Sequence, residues 1–176
     1  MTSRFYRQTT YETCLACALF YSVKIKPTKN RELKVINYSL RFSKNSFALG
    51  HLEYFTRKYN RKLKLFLESK TLFSSWSKIK FNKKIDLVHA KINLDFVSKN
   101  LKYGPVILYL DCFVFQNNVH YPHYIVLIDE NAGKYKLYDP WDGKIKRVEK
   151  KIISKGIQKL RNHLLFSPQL IRVDPK

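Results

Sequence analysis

At 176 residues the chain is long enough for one domain with a sizeable core, so neither disulfides nor a structural metal are needed to hold it together. Apolar residues at 45% and aromatics at 15% exclude a disordered chain, even with 27% charged residues. Lysine and arginine number 34 against 13 aspartate and glutamate, a net charge of +21, so the surface is positive and acidic peptides and nucleic acid are partners that the charge admits; no RNA- or DNA-binding signature accompanies it.

In chain order, "CLACALFYS" from Cys14 to Ser22 has helix-forming residues and an apolar face, with Thr13 and Thr10 placed to cap the preceding turn. Pro27 ends that segment, and Asn30 is expected to cap a second helix over "RELKVINYSLRF". Ser46 is expected to open a third, in which Phe47, Leu49, Leu52, Phe55 and Tyr59 recur at roughly helical spacing.

The period then changes. "KLKLFLES" alternates Leu63, Leu65 and Leu67 with charged or aromatic neighbours, the pattern of a half-buried strand. "TLFSSWSKIKFNKKIDLVHAKI" has no dominant period. "NLDFVSKNLKYG" reads as a helix with an Asn93 cap and a Gly104 stop, and "PVILYLDCFVF" as a nearly continuous apolar strand with Cys112 in its core. "HYIVLIDE" and "KYKLYDPW" flank an Asn131 to Gly133 hairpin turn. "KIKRVEKKIISKGIQKLR" carries eight basic residues and one acid, a run that reads as a solvated helix face. "QLIRV" is a last short strand.

Helices lead and antiparallel strands follow, so the expectation is a single α+β domain over 1–176, helical from about 8 to 60 and sheet-containing from about 61 to 176. No apolar run reaches the ~20 residues of a membrane helix, and "MTSRFYRQ" lacks the apolar core of a signal peptide. Three cysteines cannot form a complete disulfide set within one chain. The expected location is the cytoplasm.

Cys14 stands at a helix N-terminus, where the positive end of the dipole favours the thiolate that a cysteine nucleophile requires. A thiolate attacking a carbonyl creates an oxyanion that wants two donors: the nucleophile's own N–H can be one, and the amide of Gln8, six residues upstream, the other. Such a thiol needs a histidine and an acceptor to orient it. His123 heads one strand of the predicted hairpin and Asp139 ends its partner, so the two can meet at one end; His120 is a rival base in the preceding loop.

Taken together, these parts resemble the double-glycine leader peptidases, also called bacteriocin-processing cysteine peptidases, and more closely their stand-alone relatives within the papain-like superfamily. The family pattern is a glutamine, five residues and a cysteine at a helix start, then a His-aromatic pair opening a strand and an Asp-Pro about sixteen residues on. Here these are Gln8 with Cys14, His123 with Tyr124, and Asp139 with Pro140, over roughly residues 8 to 143. The resemblance implies a papain-like fold with N-terminal helices packed on an antiparallel sheet. It also implies a Cys14, His123, Asp139 triad with Gln8 in the oxyanion hole, a peptide or protein substrate, and no cofactor or metal. Leu15 departs from the glycine that the family commonly has after its cysteine.

Three other readings compete. The same site could serve acyl transfer to an amine. An inactive basic domain could bind acidic peptide or nucleic acid. Cys14 and Cys17, a Cys-x-x-Cys pair, could act as a redox dithiol; a zinc site would need about four ligands, and no second cysteine pair exists.

Overall fold

The computed structural model describes residues 5–42, 47–80, 82–115 and 119–174. A seven-stranded sheet runs β2-β1-β7-β3-β4-β5-β6, where β1 is Leu63–Leu67, β2 Ile85–His89, β3 Val106–Asp111, β4 Pro122–Asn131, β5 Lys134–Asp139, β6 Lys144–Glu149 and β7 Gln169–Val173. Every pairing is antiparallel except β1 with β2. The helices are α1 Cys14–Ser22, α2 Lys29–Phe42, α3 Phe47–Tyr59, α4 Lys70–Ser77, α5 Leu94–Leu101 and α6 Lys150–Asn162. The architecture is α+β.

Both faces of the central strands are covered. On β3 and β4, Ile107, Tyr124 and Val126 join a core with α1 and α3, while Leu108, Leu110, Ile125 and Leu127 join a second core with α5 and α6. The side-chain period of two sends alternate residues to opposite faces, so a strand buried on both sides reads as a continuous apolar run. The same logic corrects the reading of β1: it is not half-buried, because Phe66 is covered in the second core while Leu63, Leu65 and Leu67 fill the first. Helices therefore pack on the sheet from its C-terminal half as well as from its N-terminal half. "QLIRV", the last short strand, inserts as β7 between β1 and β3.

Other local readings shift by a few residues. Asn30 lies inside α2, whose first turn is capped by Thr28: its Oγ1 accepts from Arg31 N at 3.3 Å. Thr28 follows Pro27 directly, so the stop of one segment adjoins the start of the next. Ser46, the expected opening of α3, lies outside the described residues. The patternless stretch after Ser69 divides into α4 and β2. β3 stops at Asp111, whose carboxylate accepts from Phe113 N and turns the chain into a 3-10 turn; Cys112 is buried there rather than in a strand. Between β4 and β5, Ala132 and Gly133 both have positive φ, +49° and +72°, which the tightest hairpin turn requires.

Candidate active site

α1 is buried on nearly all sides, from Cys14 to Phe20, and packs on β3 and β4. Its N-terminus is reached through a 3-10 turn, Tyr11–Thr13. Thr13 Oγ1 closes that turn by accepting from Thr10 N at 3.3 Å and donating to Thr10 O at 2.9 Å. Cys14, 8% exposed, is therefore the first residue of a helix that enters the core directly, with Leu15 buried behind it. The bulk of Leu15 goes into the first core.

The segment before this turn is pinned to the far end of the β5–β6 hairpin. Phe5 N donates to Gly143 O and Gln8 N to Pro140 O, both at 2.8 Å, and Tyr138 Oη donates to Tyr6 O at 2.7 Å. A buried carboxylate, Glu32 of α2, holds the same segment from the other side, accepting from Tyr6 Oη at 2.5 Å, Thr9 N at 3.1 Å and Thr9 Oγ1 at 3.2 Å. These ties bring Gln8 back to the helix mouth, where its Nε2 donates to Thr10 O at 2.8 Å. A primary amide has two N–H donors, and that bond uses one.

His123 and Asp139 meet as the strand ends do. His123 Nε2 lies 2.8 Å from Asp139 Oδ1, both side chains being buried. His123 Nδ1, on the other side of the ring, is buried without a hydrogen-bond partner of standard geometry. Burial, the largest single influence, opposes a charged ring; the hydrogen bond to Asp139 and the neighbouring Cys14 thiol outweigh it and lift the His123 pKa to about 9. Burial likewise opposes ionisation of Asp139, but His123 and then Lys146 hold its carboxyl well below the usual range.

Asp139 is fully engaged. Oδ1 also accepts from Trp141 N at 3.0 Å, and Oδ2 accepts from Lys146 Nζ at 2.9 Å. Lys146 reaches Asp142 Oδ2 at 3.1 Å as well. Nothing in the sequence separated Lys146 from the rest of the basic run; its signal appears only once β5 and β6 are known to pair with Asp139 opposite Lys144. Glu32 was missed for a similar reason, being one acid in the first turn of a charged helix.

His120, the rival base, belongs elsewhere. Its Nδ1 lies 2.6 Å from Asp111 Oδ2, and its ring stacks between Phe113 and His163, with centroids 4.1 and 3.6 Å away. Among the described residues there are two histidine-aspartate pairs, and Cys14 neighbours the one at His123. Cys17 is fully buried and free, and burial followed by Glu32 drives its thiol far above the ordinary range, which disfavours a reactive dithiol with Cys14. Among the described residues no group of three or more His, Cys, Asp or Glu could hold a metal ion. Beside Gln8, a cleft of about 190 Å³ is lined by Arg7, Thr9, Thr10, Tyr11 and Trp141.

No protein-family model and no curated protein matches the sequence, but solved structures do. The peptidase domain of Streptococcus ComA, a bifunctional ABC transporter of a quorum-sensing pathway, aligns over 98% of both chains at a TM-score of 0.52 and 13% identity. A Bacillus anthracis protein assigned as a C39-like peptidase aligns over 100% of this chain and 98% of its own at 0.56 and 13%. The fold is that of these peptidase domains. No helix among the described residues is long and apolar enough to cross a membrane.

Proposed function

We propose that the chain is a cysteine peptidase in which Cys14 is the nucleophile, His123 the proton carrier, Asp139 its orienter and Gln8 an oxyanion-hole donor. The observation that carries this reading is the buried His123, tied through Nε2 to Asp139 at 2.8 Å with the Cys14 thiol among the groups that favour its charged form. The likeness to peptidase domains supports it at the level of fold.

In this account Cys14 Sγ, as thiolate, attacks the scissile carbonyl carbon. The carbonyl oxygen becomes an oxyanion held by the Cys14 N–H and the spare N–H of Gln8 Nε2. His123 gives its proton to the amide nitrogen, the C–N bond breaks, and the amine leaves. A water molecule then attacks the thioester carbonyl, giving its proton to His123, and the thiolate is expelled with the acid as product. Asp139, held by Lys146 and Trp141, keeps the ring in the tautomer and orientation that present Nδ1 to sulfur. Free thiols at all three cysteines suit a reducing compartment such as the cytoplasm.

The test is digestion of a proteome-derived peptide library by the wild type and by Cys14→Ala, with new termini identified by mass spectrometry. Cleavages present in the wild type and absent from the variant support the reading. Equal cleavage by both contradicts it.

A further inference from the structure

A groove that shares no lining residue with the cleft beside Gln8 and Trp141 runs along α6. It is open to solvent, with a volume of about 760 Å³, and its lining contains Lys151, Lys155, Lys159 and His163 together with Ser154, Gln158 and Asn162. Both sets recur every four residues, so they form two adjacent stripes on one helix, a cationic one and a neutral hydrogen-bonding one. The opposite side of α6, with Ile153, Gly156, Ile157 and Leu160, is buried.

Like charges four residues apart on a helix destabilise it by a few tenths of a kcal/mol, about 0.2–0.5 per pair. Among the described residues a carboxylate meets the stripe only at Lys151. Lys159 and His163 lie at the helix C-terminus, where the dipole favours cations, but Lys151 lies in the first turn, where it does not. Glu149 pairs with Lys151 at 2.8 Å. Among the described residues no carboxylate lines the groove or forms a salt bridge with Lys155 or Lys159, whose ammonium groups lie over the Phe113 ring at 5.7 and 5.5 Å.

The stripe also leads somewhere. Its last member, His163, stacks on His120, and His120 precedes His123 by three residues in the loop that enters β4. Successive stripe positions rise by about 6 Å along the helix, and alternate side chains of an extended peptide are separated by about 6.7 Å. We propose that the α6 groove is a docking site for an acidic, extended segment of the peptide substrate, with carboxylates at alternate positions meeting Lys151, Lys155 and Lys159. This rests on the peptidase reading for the identity of its ligand, but its test does not depend on turnover.

The probe is a fluorescein-labelled (Glu-Gly)6 peptide titrated by anisotropy into Cys14→Ala protein, with (Gln-Gly)6 and the oligonucleotide dT12 as comparisons. The expected result is salt-sensitive binding of the acidic peptide alone, weakened about tenfold in the Lys151→Gln/Lys155→Gln/Lys159→Gln variant. If the triple variant does not melt like its parent, Lys155→Gln alone replaces it, with a loss of about threefold expected. Equal binding by parent and variant, no binding of (Glu-Gly)6, or stripe-dependent binding of dT12 in preference to it each overturn the proposal. No binding of (Glu-Gly)6 to the Cys14→Ala protein, while the wild type still cleaves peptides in a Cys14-dependent way, would separate failure of this proposal from failure of the peptidase reading.

Discussion

Lys146 and His123 hold opposite oxygens of one carboxylate: Nζ at 2.9 Å from Asp139 Oδ2 and Nε2 at 2.8 Å from Oδ1. The cation therefore offsets part of the negative charge that favours a protonated His123. Lys146→Met removes that offset from Asp139. The His123 pKa should then rise further above about 9. The His123 imidazole titration, followed by NMR, should move to higher pH in Lys146→Met than in the wild type; superimposable titrations would show that Lys146 has no electrostatic hold on the site.

Gln8→Ala should leave the melting curve nearly unchanged and lower turnover of a cleaved peptide by about 10²–10³-fold, the usual cost of one oxyanion donor. A change in KM with kcat retained would place Gln8 in substrate binding instead.

Gly143 has φ +71°, and a Cβ there would lie 2.8 Å from both Arg7 N and Tyr6 C. Neither neighbour is a flexible side-chain tip, so Gly143→Ala must push the Tyr6–Gln8 segment away from the hairpin. A loss of about 1–3 kcal/mol in denaturant unfolding, together with reduced turnover, is expected. Glu32→Gln loosens the same segment from the α2 side by weakening the acceptors for Tyr6 and Thr9, at a cost of about 1–3 kcal/mol. Combined with Gln8→Ala, either change should reduce turnover less than it does alone, because both act through Gln8.

Stability should depend on pH through His123. Its folded pKa of about 9 exceeds the ordinary 6.5, so its stabilisation is complete below about pH 6.5 and is lost as pH rises through about 9. Asp139 has the opposite sign: its pKa is depressed, so its contribution is present above its ordinary value and is lost in acid. Thermal melts of wild type and His123→Ala between pH 6 and 10 should converge toward the alkaline end; a constant gap would contradict the charge assigned to the buried pair.

The parts of the fold that could be read in the sequence are those fixed by local chemistry. Asn93 caps α5 with its own side chain, which accepts from Phe96 N at 2.9 Å, and Asn131 to Gly133 carries the composition of a tight turn. Because the period of that hairpin was legible, so was the meeting of His123 with Asp139, sixteen residues apart. What depended on distant chain was hidden. The placement of β7 between β1 and β3 is decided by burial on both faces, not by anything within "QLIRV". Lys146 looked like any other lysine until Asp139 stood beside it, and Glu32 became notable only when Tyr6 and Thr9 folded onto it. His120 was a rival to His123 as base in the sequence, placed in the loop before the strand; in the fold Asp111, buried at the end of β3, engages His120.

The most direct test of the central claim is the rate of Cys14 alkylation by iodoacetamide against pH, followed by mass spectrometry in the wild type and in His123→Ala. The account predicts site-selective reaction persisting well below the ordinary thiol pKa of about 8.5, and strongly reduced there by loss of His123. Cys14 reacting as an ordinary thiol, with the same profile in both proteins, would contradict it.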